Sequence, residues 1–342
     1  MDLVSPYDVQ HIYTFRNEVK QMMKGKMPAP RMLTLFPNYT CNLSCPHCHF
    51  RDFRSSEYIK KDRLIKLIDE CKELGIEACE LCGGGEWTIC PDIEEVIKYI
   101  YDERGMSLAG FTNGVALKGS LLETVISKYS FLRFSIDSFD KELYKKIHGR
   151  DCIDVVVENI KTAVKYKKEN NLPILIGLKF LLSKDSCDQD FEQIIWRAEE
   201  LGVDSVQFAM VYYSDLEITD REVIQGLNNK LDWLSVKHRN YIKVMFKVHK
   251  TQLEGSCILT PLHLMVDAKG DVYLCCFYSW REKSHKFGNI YEKSLKDIWY
   301  SPEHWNAIKR IKPEECNVFN CKYHMYNNIM KYGMKNGQWE FL

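Results

Sequence analysis

From about residue 31 onward, short apolar runs alternate with longer stretches whose apolar positions recur every three or four residues. The short runs are Met32–Phe36, Ala78–Leu81, Ser107–Phe111, Leu132–Ile136, Ile174–Leu182 and Ser205–Val211. Their length and apolar character predict strands. Between them, Leu64, Leu67, Ile68, Cys71 and Leu74 share one helical face, and Gly75 is placed to stop that helix. Similar patterns cover Ile93–Tyr101, Leu121–Lys128, Val155–Lys168 and Phe191–Leu201. Six strand–helix alternations predict a parallel sheet with right-handed crossovers, either open and doubly wound or closed toward a barrel. No Gly-x-Gly-x-x-Gly follows the first strand, which weakens a dinucleotide-binding sheet. Every chemically notable cluster falls just after a predicted strand, where (β/α) barrels carry their active-site loops.

The pattern changes after about residue 215. A polar helical stretch carries the chain to Lys250, and then His263–Val266 and Asp271–Cys275 flank Asp267-Ala268-Lys269-Gly270 as a β-hairpin. A helix is expected around Leu295–Ile311. The expected organisation is an N-terminal extension (1–30), a barrel core (31–215), a helical connector (216–256) and a small α+β module with a C-terminal helix (257–342). That module has little apolar material for independent stability.

Composition narrows the function. With 45% hydrophobic residues in 342, the chain has ample core material and is not disordered. The 47 basic and 47 acidic residues cancel, which argues against a nucleic-acid partner. Met1–Pro6 has neither a basic nor an apolar signal region, and the apolar stretch Leu172–Leu182 is broken by Pro173 and Lys179. No membrane partner is expected, and the reading is a cytoplasmic protein. In that compartment thiols stay reduced, so the 14 cysteines point to metal ligands or catalysis rather than disulfides.

After the first predicted strand stands Cys41-Asn42-Leu43-Ser44-Cys45-Pro46-His47-Cys48. Three thiolates on one short loop can hold three corners of an iron–sulfur cube and leave the fourth iron open. Zinc with a distant fourth ligand, or with His47 and His49 as ligands, is the alternative. Gly83-Gly84-Gly85-Glu86-Trp87 follows the second strand, and Thr112-Asn113-Gly114 the third. Ser135-Ile136-Asp137-Ser138-Phe139-Asp140 follows the fourth and runs on to Ile147-His148-Gly149-Arg150.

These four motifs, in order over roughly residues 31–215, resemble the radical S-adenosylmethionine (radical SAM) superfamily. His47 takes the aromatic slot of its cysteine loop, and Trp87 stands where its second motif usually has proline. The resemblance implies a partial (β/α)6 barrel and a [4Fe–4S] cluster held by Cys41, Cys45 and Cys48. S-adenosylmethionine would chelate the open iron. Gly84, Gly85 and Glu86 then suit its amino group, since glycines let backbone approach closely and a carboxylate or carbonyl accepts ammonium protons. Ser135 and Arg150 suit its carboxylate, and Asn113 or Asp137 its ribose hydroxyls.

A second constellation comprises Cys257, Gly270, Cys275, Cys276, Cys316 and Cys321. It resembles the auxiliary-cluster module of SPASM/twitch radical SAM proteins, in the shorter twitch form with one further [4Fe–4S] cluster. Cys257, Cys275, Cys316 and Cys321 are its expected ligands, and two clusters are expected in all. Four residues separate the last pair where two are common, so Cys276 is a spare ligand, or else a hydrogen-donating thiol. Zinc holding the module together is again the alternative, and metal of either kind explains how so thin a module folds. Cys71 reads as core packing, and so do Cys79, Cys82, Cys90, Cys152 and Cys187.

The resemblance implies reductive cleavage of S-adenosylmethionine to a 5′-deoxyadenosyl radical that abstracts hydrogen from a substrate C–H bond. The outcome is oxidation or epimerisation of a small polar metabolite such as a sugar or cyclitol. The alternatives are maturation of a ribosomally made peptide or protein, or a non-catalytic zinc-binding protein. The expected partners are that small-molecule or peptide substrate and an external electron donor such as flavodoxin or ferredoxin.

Overall fold

The computed structural model describes residues 14–212, 214–247, 257, 259–316, 321 and 326–328. Of the expected C-terminal helix only residues 326–328 are described, and these are helical; the rest lies outside the described residues. The strands are β1 (Met32–Leu35), β2 (Ala78–Leu81), β3 (Ser107–Thr112), β4 (Tyr129–Ser135), β5 (Leu175–Leu182), β6 (Ser205–Met210), β7 (Lys243–Lys247), β8 (His263–Val266), β9 (Asp271–Tyr273) and β10 (Lys286–Asn289). They form one sheet in the order β10-β9-β8-β1-β2-β3-β4-β5-β6-β7. From β1 to β7 neighbouring strands run parallel, as the strand–helix alternation requires. The fold is a partial α/β barrel with a small C-terminal module.

That module is continuous with the barrel. β8 pairs in parallel with the free edge of β1, with Met32 opposite His263 and Leu35 opposite Val266. β9 and β10 then add antiparallel strands. An edge strand that would otherwise present unpaired backbone is thereby covered. The thin apolar content of the module follows, since its first strand shares the barrel core: Leu264, Val266, Val272 and Leu274 join the main hydrophobic cluster.

Helices α2 (Lys61–Glu73), α3 (Ile93–Lys98), α4 (Gly119–Lys128), α6 (Ile153–Glu169) and α7 (Phe191–Leu201) fall where the apolar periodicity placed them; here α1 denotes Arg16–Met23. Gly75 ends α2 with φ +86°, a conformation that costs glycine little. Three features differ from expectation. The stretch to Lys250 is helical only over α8 (Arg221–Lys237), and then Lys243–Lys247 forms β7 on the edge of β6. An unpredicted helix, α5 (Lys141–His148), starts where the Asp140 carboxylate accepts the Leu143 amide and stops at Gly149, φ +71°. After α9 (Glu282–His285), the expected helix to Ile311 splits into α10 (Leu295–Trp299) and α11 (Pro302–Lys309). Ser301 caps α11 by accepting from the His304 amide, and Pro302 takes the first helical position.

Side chains alternate across the sheet. Leu132, Phe134, Ile176, Leu178, Val206 and Phe208 join the main core cluster with the helices. Their neighbours Arg133, Gly177 and Gln207 face the barrel interior. Arg133 reaches past Gly177 of β5 to donate to Gln207 Oε1 at 2.5 Å, with its guanidinium over the Phe111 ring. On strands β1, β2 and β8, buried Thr34 lies 2.7 Å from His263 Nε2 and donates to Glu80 Oε1 at 3.1 Å. β1, β2 and β8 are thus tied through one hydroxyl. Thr34→Val keeps the shape and removes the hydroxyl, so unfolding free energy should fall by about 1–3 kcal/mol in urea titration.

Candidate active site

The cysteine loop leaves β1 and is closed at its base by backbone pairing. Tyr39 N donates to Glu57 O at 3.0 Å and Ile59 N to Pro37 O at 2.9 Å. Within it Cys41, Cys45 and Cys48 are half-buried free thiols. They lie near enough to act on one another electrostatically: burial raises the Cys41 and Cys45 thiols, and the neighbouring cysteines add to this. Donors already point at the sulfurs. Leu43 N donates to Cys41 Sγ at 3.5 Å, Arg54 to Cys48 Sγ at 3.4 Å, and Asn113 Nδ2 reaches Cys41 Sγ at 3.8 Å. Among the described residues, no group of three His, Cys, Asp or Glu side chains is gathered to hold a metal ion. A cubane, with a separate iron for each thiolate, does not require the sulfurs to crowd one ion, and this donor set of thiols ringed by N–H groups suits it.

The glycine loop after β2 packs directly on the cysteine loop. A Cβ on Gly84 would overlap the Tyr39 ring, and one on Gly85 the Thr40 carbonyl. The glycines therefore serve loop-to-loop contact first: Gly85 N donates to Asn38 O at 2.9 Å and Glu86 N to Thr40 O at 2.8 Å. Glu86, expected to meet the cofactor's amino group, is instead a buried brace. Its Oε1 accepts from Thr88 Oγ1 at 2.7 Å and Thr112 Oγ1 at 2.6 Å, and its Oε2 from Asn113 N at 2.8 Å. Burial raises this carboxyl and the hydrogen bonds oppose the rise. Trp87, in the position usual for proline, is fully buried and donates to Phe111 O at 2.8 Å.

The loop after β4 and helix α5 approach from the third side. Ser135 is half-buried at the end of β4, in register with Lys179 of β5. Asp137 does not face outward for a ribose. It is buried at φ +62°, its Oδ1 accepts Leu181 N at 2.7 Å, and its Oδ2 lies 3.4 Å from His148 Nε2. α5 delivers His148 to the cysteine loop, with Nδ1 3.2 Å from Cys45 Sγ and Nε2 2.9 Å from Ile136 O. Gly149 leaves room for Ser44, whose amide donates to His148 O at 3.1 Å. Arg150 is exposed and touches Asn42 O at 3.4 Å, and Asn113 Nδ2 donates to Asn42 Oδ1 at 2.7 Å. The three other motifs therefore converge on the cysteine loop.

The second cysteine set is built around an arginine. Arg281, buried, donates to Cys316 Sγ at 3.3 Å and to Cys275 Sγ at 3.6 Å. Asn327 Nδ2 donates to Cys257 Sγ at 3.4 Å. Burial raises the Cys275 thiol, and Arg281 opposes the rise. Cys257 is raised chiefly by burial, with Cys316 adding to it, and Cys321 acts on Tyr212 together with Cys275 and Cys276. Cys276 stays close to this set, acting on Cys275 as well, and is partly buried against a cluster of Phe36, Cys82, Met265, Tyr273 and Tyr278.

One polar junction joins the two regions. The Tyr39 hydroxyl donates to Asp267 Oδ2 at 2.6 Å and lies 2.8 Å from the Tyr278 hydroxyl. Tyr278 stacks on Tyr273 at 3.9 Å and packs against Phe36, Phe50 and Phe53. Asp267 also closes the β8–β9 hairpin, its Oδ1 accepting the amides of Lys269 and Asp271, each at 2.9 Å. His148, Arg54, Arg281, Tyr39 and Asp267 were not singled out from the sequence. The readable signals were the caps of α5 at Asp140 and Gly149, and an arginine six residues past a cysteine in both regions.

Burial lifts the Asp267 carboxyl to about 6. A folded-state value above the free one means that this group's stabilisation is full below about pH 4 and is lost as pH rises through about 6. Urea midpoints from pH 4 to 7 should show that limb, worth about 1–3 kcal/mol, and Asp267→Asn should flatten it.

With this geometry established, comparison with known proteins gives a consistent result. The model of the radical SAM superfamily matches residues 35–181, and that of the SPASM iron–sulfur cluster-binding domain matches residues 257–322. A probable GTP 3′,8-cyclase of Sulfurisphaera tokodaii is 31% identical over 49% of this chain and 52% of its own length. One from Saccharolobus islandicus is 23% identical over 58% of this chain and 64% of its own length. The matched stretch thus spans about half to under two thirds of these curated relatives. Streptococcus suis SuiB bound to precursor peptide SuiA superposes with TM-score 0.68 over 91% of this chain and 73% of its own, at 18% identity. AnSMEcpe with bound AdoMet gives 0.65 over 82% and 83%, at 16% identity. At these identities the two structures establish the fold. The family's cofactors are [4Fe–4S] clusters and S-adenosylmethionine, which displaces the zinc readings. The chain belongs to the radical SAM superfamily and carries a C-terminal SPASM-type iron–sulfur domain.

Proposed function

We propose that Cys41, Cys45 and Cys48 hold the cluster that binds S-adenosylmethionine, and that Cys257, Cys275, Cys316 and Cys321 hold one auxiliary cluster. The observation that carries this is the convergence of the β2, β3 and β4 loops on the cysteine loop, with Asn113 and Arg150 both touching Asn42. When bound, the clusters supply one-electron transfer, into S-adenosylmethionine at one and out of the substrate at the other.

The chain's own residues bind and orient. Backbone at Gly84 and Gly85 lies beside the cysteine loop, where it can accept from the cofactor's ammonium group. Arg150 is exposed next to that loop and suits the carboxylate, as does Ser135 at the end of β4. Asn113 remains the candidate for the ribose hydroxyls, whereas Glu86 and Asp137 act as braces. Holding the substrate carbon close to the cofactor and excluding water is the protein's share of the rate.

The substrate reading is a small polar metabolite that undergoes oxidation. Its support is the polar, hydrogen-bonding barrel interior, where Thr34, Glu80, Arg133, Gln207 and His263 replace the apolar packing of a closed core. The curated relatives, named for GTP, agree with a small metabolite. A peptide substrate is the second reading, favoured by the fold neighbours solved with peptides, SuiB and anSMEcpe. Epimerisation would need a hydrogen-donating thiol, and Cys276, partly buried beside Cys275, is the candidate. An external one-electron donor of the flavodoxin or ferredoxin type completes the scheme.

Anaerobically reconstituted protein should carry about eight irons, and about four after Cys41, Cys45 and Cys48 are replaced by alanine. With dithionite and S-adenosylmethionine it should release 5′-deoxyadenosine, and the triple variant should not. A low-molecular-weight metabolite extract should raise that release at least tenfold. Stimulation by a peptide fraction alone would contradict the metabolite reading.

A further inference from the structure

The second cysteine set contains a cation that the ligand assignment does not use. Arg281 lies six residues past Cys275, in a tight turn where its backbone amide donates to Tyr278 O at 2.7 Å. The side chain folds back on that turn. Nε donates to Phe277 O at 3.1 Å and Nη2 to the same oxygen at 2.7 Å, while the guanidinium carbon sits 5.4 Å from the Trp280 ring centre. These contacts fix the plane of the fork. Its remaining hydrogens are aimed at sulfur, Nη1 at Cys316 and Nη2 at Cys275, so one guanidinium bridges two cysteines 41 positions apart in the chain.

The counterpart Arg54 offers a single such contact, to Cys48. Arg281 is also the more deeply placed, 6% exposed, so its charge acts through protein and is weakly screened by water. Hydrogen bonds to cluster sulfurs and nearby positive charge both favour the reduced, more negative state of an iron–sulfur cluster.

We propose that Arg281 is a positioning residue for the auxiliary cluster, whose N–H bonds to the Cys275 and Cys316 sulfurs raise its reduction potential and make it the better electron acceptor. The proposal rests on the reading that these cysteines ligate that cluster. The couple concerned is one-electron: the oxidised cluster gains one electron, from the substrate radical in turnover and from dithionite in the test.

The experiment uses the full chain with Cys41, Cys45 and Cys48 replaced by alanine, so that only the auxiliary cluster reports. Iron content and EPR-monitored redox titration are compared for this parent and for added Arg281→Met or Arg281→Lys. At the parent's midpoint, the reduced-to-oxidised ratio should fall at least tenfold in Arg281→Met, equal to 59 mV for a one-electron couple. Arg281→Lys, which keeps the charge and loses the fork, should fall by less, with about four irons retained in both. An unchanged ratio with iron retained overturns the proposal. Loss of iron from both variants overturns it in favour of a purely structural arginine. Absence of iron from the Arg281-intact parent instead overturns the ligand assignment beneath it.

Discussion

The arrangement depends on the buried contact between the Tyr39 hydroxyl and the Asp267 carboxylate. Tyr39 lies at the root of the cysteine loop, and its ring occupies the space that a Cβ on Gly84 would need. Its hydroxyl reaches a carboxylate that also closes the β8–β9 hairpin, just ahead of Cys275 and Cys276. One side chain therefore sets three things: how near the glycine loop comes, where the cysteine loop begins, and how the C-terminal module is seated. A buried carboxylate without donors would be costly, and here it has a phenol and two amides. Around it Phe36, Phe50, Phe53, Tyr273 and Tyr278 exclude water, which strengthens these polar contacts.

Much of this was legible in the sequence, for reasons that differ by element. Strands β1 to β6 and their helices follow from periodicity, because a parallel barrel buries one strand face under helices and stamps that face on the chain. The three-cysteine loop was legible because its three thiols lie within eight consecutive residues. β7 was missed because its signal is short and its partner, the edge of β6, is a tertiary feature. The pairing of β8 with β1 could not be read at all, since nothing local in either strand specifies a neighbour some 230 residues away.

The site residues divide in the same way. Asn113 reaches Cys41, and Arg150 meets the same loop at Asn42. Glu86 and Asp137 carry the expected residue types at the expected places, yet their carboxylates turn inward to amides and hydroxyls. A motif specifies residue type and position, whereas side-chain direction depends on which donors the fold leaves unsatisfied. Asp137 illustrates this: at φ +62° its backbone points the carboxylate at the Leu181 amide and at His148, and His148 in turn meets Cys45.

The central claim, that Tyr39 holds the cysteine loop and the C-terminal module as one unit, is tested most directly by hydrogen exchange. Tyr39→Phe keeps the ring against Gly84 and removes only the hydroxyl. The amides of residues 38–48 and of residues 267–281 should then lose protection together and by similar factors. Unchanged exchange, or a loss confined to one of the two segments, would contradict the claim.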